Sequence, residues 1–296
     1  MGIVLWLNVL KPKTMKRILV PTDFSTNAYC ALFYATQLFQ NQPCKFYILN
    51  TFKVETSVLT SRLNTSKGDK IYRELSADSQ EKLTKTMHSI TRDAKDSQHS
   101  FEIISISKEL IETIDKTINS LQIDLVVMGT KGASGVKEIF MGSNTVKVIQ
   151  KIKNCSILAV PDQMGFKTLN EIAFATDFKC FYTTESLKPL LDIVTAFACN
   201  IRIIHIHEEE KLNEIQEHNL NNLKEKLTDF NYCLHWISGF TKKEKHIQEF
   251  IEQMDIDMLC MSQYKHGFIE SITHEPVIKK IGFRATVPFL VIPEVS

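Results

Sequence analysis

Residues 17–24 read Arg-Ile-Leu-Val-Pro-Thr-Asp-Phe, and residues 171–178 read Glu-Ile-Ala-Phe-Ala-Thr-Asp-Phe, so a short apolar run with one polar ending occurs twice. Three more pairs of strand-like runs follow in the same order: 46–51 with 202–206, 123–128 with 256–261, and 157–161 with 289–293. A repeat of this kind indicates two copies of one structural unit. The chain of 296 residues has room for both copies, because a domain typically needs about 150 residues.

Within each copy, short β-branched runs alternate with longer amphipathic stretches. Residues 125–128 are apolar throughout, as expected for a strand of a parallel sheet that is covered on both faces. The stretches 27–39, 71–90 and 108–121 have apolar residues at helical spacing, and Ser25 or Thr26 is available as an N-cap for the first. We therefore predict two tandem doubly wound α/β domains, each with a parallel sheet flanked by helices.

The boundary between the copies is expected near residues 162–167, where Pro161, Gly165 and polar residues interrupt the apolar pattern. This gives an N-terminal domain over 15–162 and a C-terminal domain over 163–296. Residues 1–14 are interpreted as a disordered extension or an over-called start. Their apolar run is far shorter than the ~20 residues of a membrane span, and no basic segment precedes it as in a signal peptide.

Composition narrows the class of partner. The formal net charge of +1 supplies no global field for nucleic acid or an anionic membrane, so we expect neither as a partner. The seven cysteines are an odd number without close pairs, which argues against a disulfide framework and against a C-x-x-C zinc or redox motif. A reducing compartment, the cytoplasm, fits this usage best.

Two segments of the first copy are suited to bind an anion. Gly129-Thr-Lys-Gly-Ala-Ser-Gly135 follows an apolar strand, and Gly142-Ser-Asn-Thr145 opens an amphipathic run. Glycines let backbone N–H groups approach a phosphate, and a helix start offers free N–H groups and a positive dipole end. Asp23, after a neighbouring strand, can accept hydrogen bonds from a ribose or a base edge, hold Mg²⁺ beside phosphates, or cap a helix.

The spacing of these residues resembles that of the universal stress proteins. Gly129-x-x-Gly132, nine residues and Gly142-Ser143 match their G-2x-G-9x-G-[ST] motif, and Ile18–Ser25 is similar to their first strand. No P-loop or dinucleotide fingerprint occurs. The resemblance covers residues 15–296 and implies a tandem member with five parallel strands per domain, which binds ATP or AMP, with or without Mg²⁺, in its N-terminal domain.

The resemblance also implies the binding residues. Adenine and ribose would contact Pro21, Thr22, Asp23, Thr51 and Met128. The phosphates would meet Gly129, Lys131, Gly132, Gly142, Ser143, Asn144 and Thr145. No metal site built from the protein alone is expected, since His205-x-His207 lacks an evident third ligand.

The second copy departs from the motif. At the positions of the three motif glycines it carries Ser262, Lys265 and either His274 or Glu275, and Ala175 replaces Pro21. Side chains there occupy the space that glycines leave open, and a glutamate would repel a phosphate at a helix start. We predict that this half does not bind ATP in the family manner.

Three functions stay open on the sequence. The first is a nucleotide-binding regulator of the stress response, with an interaction or structural role for the C-terminal domain. The second is a slow ATPase or phosphotransferase, for which only Lys131 and Asp23 lie near the expected phosphates and no arginine finger is evident, so we assign no catalytic residue and expect at most weak hydrolysis. The third is a partner-binding protein that takes no nucleotide.

Assembly follows from the resemblance. Family domains pair through their last strands, so residues 157–161 and 289–293 are expected to meet within one chain as an intramolecular pseudo-dimer. Further association as a homodimer and the identity of a protein partner stay open.

Overall fold

A computed structural model describes residues 15–54, 65–95, 97–130, 141–162, 165–207, 211–238, 243–263 and 286–293. The predicted N-terminal extension therefore lies outside the described residues. The strands are β1 (Lys16–Pro21), β2 (Cys44–Thr51), β3 (Ser100–Ile106), β4 (Leu125–Gly129), β5 (Ser156–Val160), β6 (Glu171–Ala175), β7 (Asn200–His207), β8 (Tyr232–Ser238), β9 (Met258–Gln263) and β10 (Phe289–Pro293). The helices are α1 (Thr26–Leu38), α2 (Thr65–Asp93), α3 (Leu110–Leu121), α4 (Ser143–Lys151), α5 (Thr184–Phe197), α6 (Glu214–Lys226) and α7 (Lys243–Gln253).

All ten strands form one sheet in the order β3-β2-β1-β4-β5-β10-β9-β6-β7-β8. Strands β1 to β5 are parallel to one another, and so are β6 to β10. In each half the strand order reverses once, between β1 and β4 and between β6 and β9. The predicted fold, two doubly wound α/β units in tandem, is confirmed.

The two halves join through their last strands, as the resemblance implied. β5 and β10 pair antiparallel, with Leu290 opposite Leu158 and Phe289 opposite Ala159, and all four side chains are fully buried. Because the seam is antiparallel, the carboxyl ends of β1–β5 and of β6–β10 lie on opposite edges of the sheet. The two points of strand-order reversal therefore open on opposite edges as well.

Helices cover both faces of the sheet and give two apolar layers. One layer takes side chains from α1, α2, α5 and α6, such as Leu32, Leu83 and Leu190. The other takes side chains from α3, α4 and α7, such as Ile114 and Val148. This sandwich explains why strands such as β4 and β5 are buried at every position.

Contacts outside the strand seam also tie the halves together. Lys16 of β1 pairs with Asp192 of α5 at 3.1 Å. The Phe166 ring lies between Tyr34 of α1 and Phe197 of α5, with ring centroids 5.4 and 5.9 Å away. The halves thus share one hydrophobic layer rather than touching at a single strand pair.

Helix α2 is longer than its apolar pattern indicates, since it runs from Thr65 to Asp93 where periodicity predicts 71–90. Both added ends are polar and carry no apolar stripe, so periodicity cannot reveal them. Among the residues that the structure describes, no helix combines the length and apolar character that a membrane span requires.

Candidate functional site

The candidate site lies where the strand order of the first half reverses. Pro21 ends β1 and Thr22 and Asp23 follow it, while Met128 and Gly129 end the neighbouring β4. Parallel strands have their carboxyl ends on one edge of the sheet, so these residues meet at a crevice of the kind that binds ligands in doubly wound folds. Pro21, Met128 and Gly129 are buried, whereas Asp23 is exposed.

The turn after β1 is held by its own side chains. The Thr22 hydroxyl accepts a hydrogen bond from the Phe24 N–H at 3.0 Å, and Phe24 has a left-handed backbone with φ of 65°. Asp23 Oδ1 accepts from both the N–H and the hydroxyl of Ser25, at 3.1 and 2.6 Å. Ser25 in turn caps α1 by accepting from the Ala28 N–H at 3.2 Å. Ser25 is therefore the helix cap, and Asp23 orients it.

The start of α4 is anchored to the end of β4. The Thr145 hydroxyl donates to the Gly129 carbonyl at 2.8 Å, and the Gly142 N–H donates to the Thr130 carbonyl. The N–H groups of Ser143 and Asn144 have no partner within their own helix, because the first N–H groups of any helix lack one. Both residues are exposed, so the positive end of the helix dipole lies beside the crevice.

The remaining predicted residues lie at different distances from this crevice. Thr51 ends β2, which flanks β1 on the side opposite β4, and it is half-buried. Lys131 and Gly132 fall outside the described residues. The structure thus brings the Thr22 turn, the end of β4 and the start of α4 together, with Thr51 one strand away.

The sequence reasoning missed a buried polar group behind the turn. Asn50, only 9% exposed, donates from Nδ2 to the Thr22 carbonyl at 2.8 Å. Its Oδ1 accepts from the hydroxyl of Ser79 at 2.8 Å, and the Ser79 oxygen lies 2.7 Å from that of Ser105. A signal was present, because Asn50 interrupts an apolar strand and Ser79 stands at helical spacing between Leu75 and Leu83.

A surface cavity of about 400 Å³ opens beyond the ends of β2 and β3, next to Thr51. Its lining includes Lys53, Lys108, Asp69 and Glu109, and Lys53 forms an ion pair with Glu109. The charges of these residues balance, so the lining has no net positive charge to attract a phosphate. The crevice between β1 and β4 remains the candidate anion site.

In the second half, the equivalent turn has the same backbone. The Phe178 N–H donates to the Thr176 hydroxyl at 2.9 Å, and φ of Phe178 is 55°. The loop that follows differs, however. Ser25 follows Asp23 by two positions, whereas Thr183, the cap of α5, follows Asp177 by six. The second loop is therefore four residues longer.

The longer loop places buried side chains beside the second crevice. Tyr182 is only 1% exposed, and its hydroxyl lies 2.5 Å from that of Thr176. Cys180 is also buried. The His205 Nδ1 lies 3.0 Å from the Thr176 carbonyl, and its ring stacks on Phe178 with centroids 4.6 Å apart. Tyr182 and Cys180 thus bring buried side chains to the end of β6, and Cys180 Sγ lies 3.9 Å from the Ser262 hydroxyl of β9, in addition to the glycine substitutions seen in the sequence.

His205 and the buried cysteines Cys155 and Cys260 have packing roles in the described structure. His205 is engaged by the contacts above, and the side chain of His207 lies outside the described residues. Within the described ranges, no group of three His, Cys, Asp or Glu is placed to hold a metal ion. Burial raises the pKa of the Cys155 thiol to about 12 and raises that of Cys260 as well, so neither thiol is an activated nucleophile.

Comparison with known proteins agrees with this architecture. The sequence profile of the universal stress protein family matches residues 14–161. No curated protein matches the chain by sequence.

Among solved structures, a universal stress protein from Archaeoglobus fulgidus is similar over 94% of this chain and 96% of its own, with a TM-score of 0.65 and 17% identity. A candidate universal stress protein from Pseudomonas aeruginosa is similar over 95% and 94%, with a TM-score of 0.59 and 13% identity. The cytoplasmic domain of a prokaryotic cation chloride cotransporter shares the fold over 95% and 96%, with a TM-score of 0.53 and 10% identity.

These structural likenesses show that the whole described chain, both halves included, has a fold that recurs in proteins of similar length. The sequence profile adds the family, and the repeated sheet fits a tandem arrangement. The chain therefore belongs to the universal stress protein family.

Proposed function

We propose that the first half of this chain binds an adenine nucleotide, ATP or AMP, in the crevice between β1 and β4, and that the protein acts as a nucleotide-responsive regulator in the stress response. The observation that carries this proposal is the anchoring of α4. Thr145 and Gly142 hold the helix start against the end of β4, so the first backbone N–H groups of α4 lie at the same end of the sheet as the Asp23 carboxylate. One crevice thereby offers donors for phosphates and an acceptor for a sugar.

The residues present fit a nucleotide of this size. The N–H groups of Ser143 and Asn144 would meet the phosphates at the positive end of the helix, together with Gly132 and Lys131. The apolar Pro21 and Met128 form a buried floor for the base. Thr51 would contact the sugar or base from β2.

Asp23 is suited to two partners. Its carboxylate is exposed and fixed by Ser25, so it can accept hydrogen bonds from ribose hydroxyls. It can also bind Mg²⁺ that is already held by phosphates, because Mg²⁺ is usually bound through one or two carboxylates, waters and substrate oxygens. One carboxylate would be sufficient when the nucleotide supplies the other ligands.

The second half, which we propose spans residues 163–296 after an N-terminal domain over 15–162, serves a structural or interaction role. Tyr182 and Cys180 are buried beside its crevice, and β10 pairs with the last strand of the first half. These features support a unit that stabilises the tandem chain rather than a second nucleotide site.

Regulation fits the site better than turnover. Phosphoryl transfer needs a positioned nucleophile and strong neutralisation of charge. Asp23 is the acidic group at the described crevice, and its carboxylate is engaged with Ser25. Slow hydrolysis is the alternative; sustained ADP release under excess ATP, abolished in Asp23→Asn, would establish it. Seven free cysteines fit a reducing location such as the cytoplasm.

The proposal is tested by calorimetric titration of ATP and Mg²⁺ into the purified full chain. We expect binding by the wild type and its loss in Gly142→Glu and Gly132→Val, which place a charge or a branched side chain where a phosphate would lie. Gly165→Glu is the matched control, because a Cβ at Gly165 meets nothing within 4 Å. No heat with the wild type, or equal binding by all four proteins, would reject nucleotide binding at this crevice.

A further inference from the structure

A chain of buried polar side chains leads from helix α2 to the turn of the proposed site. Ser79 of α2 is 2% exposed and Asn50 of β2 is 9% exposed. Ser105 of β3 lies within hydrogen-bond distance of Ser79 at 2.7 Å, and Asn50 contacts the Thr22 carbonyl at 2.8 Å. Buried polar groups are costly unless they are paired, so four elements are tied together here by hydrogen bonds rather than by apolar packing.

The direction of this chain follows from counting protons. A serine hydroxyl carries one proton, and the Ser79 proton is donated to Asn50 Oδ1 at 2.8 Å. The contact with Ser105 must then use the Ser105 proton. Donation therefore runs from Ser105 to Ser79, from Ser79 to Asn50, and from Asn50 Nδ2 to Thr22.

The two partners of Asn50 have different roles. The oxygen and nitrogen of an asparagine amide are nearly equal in size, so hydrogen-bond partners determine its orientation. The Thr22 carbonyl can only accept, so it requires the N–H₂ group on its side, which leaves Oδ1 for the Ser79 hydroxyl to donate to. Without the Ser79 hydroxyl, the buried Oδ1 loses its donor and the amide loses one of the two contacts that hold it.

The Thr22 carbonyl controls the peptide group that leads into Asp23. That peptide is planar and trans, so its C=O and N–H point in opposite directions. Asn50 holds the C=O toward β2, on the same side as the Thr22 N–H, which donates to Leu49 at 2.8 Å. The N–H group of the same peptide, which belongs to Asp23, is thereby directed toward β4 and the crevice.

In the second half, a different side chain contacts the equivalent carbonyl, that of Thr176. His205 stands at the position of Asn50 and approaches the Thr176 carbonyl at 3.0 Å. Its ring stacks on Phe178, on the side of β6 that faces β7. Both halves therefore hold the carbonyl of this turn from the strand that lies opposite the crevice.

We infer that Asn50, Ser79 and Ser105 are positioning residues that fix the Thr22–Asp23 peptide for nucleotide binding, and that they link helix α2 to occupancy of the crevice. The inference rests on the proposed nucleotide site, which supplies the ligand. Its structural part, that hydrogen bonds from α2 hold the turn at residues 22–25, can be measured without any nucleotide.

The test combines ATP titration with peptide-level hydrogen exchange of residues 22–25 in the nucleotide-free full chain. Ser79→Ala is expected to raise the ATP Kd about 5–10-fold, the effect of one net hydrogen bond, and Asn50→Leu to raise it further. Both should speed exchange in the turn. The control Thr117→Val removes a hydroxyl of a buried residue, 7% exposed, that bonds the Thr113 carbonyl in α3, and it should change neither quantity.

Asn50→Asp tests the need for a donor at this position. An ionised aspartate keeps an acceptor for Ser79 but has no donor for Thr22, whereas a protonated one regains a donor. The ratio of its ATP Kd to that of the wild type should therefore fall as pH is lowered, and a ratio that does not change with pH would contradict a role for this donor.

The outcomes are distinct. If the wild type binds ATP and the Ser79 and Asn50 variants bind equally well, the inference is overturned even if exchange in the turn rises. If the wild type does not bind ATP, the proposed function fails, and exchange alone decides the inference: faster exchange at residues 22–25 supports it and unchanged exchange overturns it.

Discussion

Phe24 and Phe178 adopt the same left-handed backbone in the two halves of the chain, with φ of 65° and 55°. Each N–H bonds the hydroxyl of the threonine two residues earlier, at 3.0 and 2.9 Å. A positive φ is uncommon for a bulky residue, so its recurrence shows that the repeated Thr-Asp-Phe sequence encodes one turn. The halves differ in the loop that follows that turn, which in the second half is four residues longer and places the buried Tyr182 2.5 Å from Thr176.

The two aspartates of this repeat supply a matched pair for the nucleotide site. We expect Asp23→Asn to raise the ATP Kd about 10-fold or more, since hydrogen bonds to a charged group contribute about 1.5–3 kcal/mol. Asp177→Asn should leave the Kd unchanged, because buried side chains lie beside its crevice. Calorimetry on both variants measures this, and equal effects of the two substitutions would contradict a site confined to the first half.

Because Tyr182 is buried in the second half, we expect a change at this residue to lower the stability of the fold and to leave ATP binding unchanged. Tyr182→Phe removes the hydroxyl that bonds Thr176 and keeps the ring that packs edge-on against Phe174. We expect the free energy of unfolding in urea to fall by about 1–2 kcal/mol and the ATP Kd to stay at its wild-type value. A gain of a second nucleotide site in this variant would contradict this prediction, because it would show that the hydroxyl contact is what keeps the crevice closed.

The strand seam should be a main source of stability. Leu158 and Leu290 are directly paired and fully buried, so Leu158→Ala and Leu290→Ala are each expected to cost about 2–5 kcal/mol. Ile215→Ala, at a side chain that is 68% exposed, should change stability by less than about 0.5 kcal/mol. Urea unfolding of the three variants measures this; a seam variant as stable as the Ile215 control would argue against a continuous sheet.

His99 predicts a loss of stability in mild acid. Burial lowers the pKa of His99, and the Thr36 carbonyl at 3.0 Å offsets this in part. The folded chain then binds fewer protons than the unfolded chain below about pH 6.5, so stability falls as pH drops through that range. In His99→Phe, the fall in Tm between pH 7.5 and 5.5 should be smaller.

Part of the dependence on pH should persist in that variant, because burial lowers the pKa of His235 in the same direction. A profile for His99→Phe that matches the wild type would show that His99 titrates normally in the fold.

The alternation of strands and helices, the helix start at Gly142 and the turn at Asp23 were within reach of the sequence. Each depends on local chemistry: β-branched apolar runs, a glycine before polar donors, and a repeated Thr-Asp-Phe. The pairing of the last strands came from the family resemblance.

Other features depend on contacts between distant segments. The buried Tyr182 belongs to the loop between β6 and α5, which is four residues longer than its counterpart. An apolar pattern does not show whether the residues of such a loop turn inward. The link from Ser79 to Asn50 joins residues 29 positions apart, and only the folded sheet places them in contact. The two crevices open on opposite edges of the sheet because β5 and β10 pair antiparallel. This feature depends on how the two halves are joined and not on any local stretch of sequence.

The central claim, one adenine nucleotide per chain in the first half, is tested most directly by native mass spectrometry of the freshly purified protein with added ATP. We predict one bound nucleotide per chain, retained in Gly165→Glu and absent in Gly142→Glu. Two nucleotides per chain, or none at millimolar ATP, would contradict it.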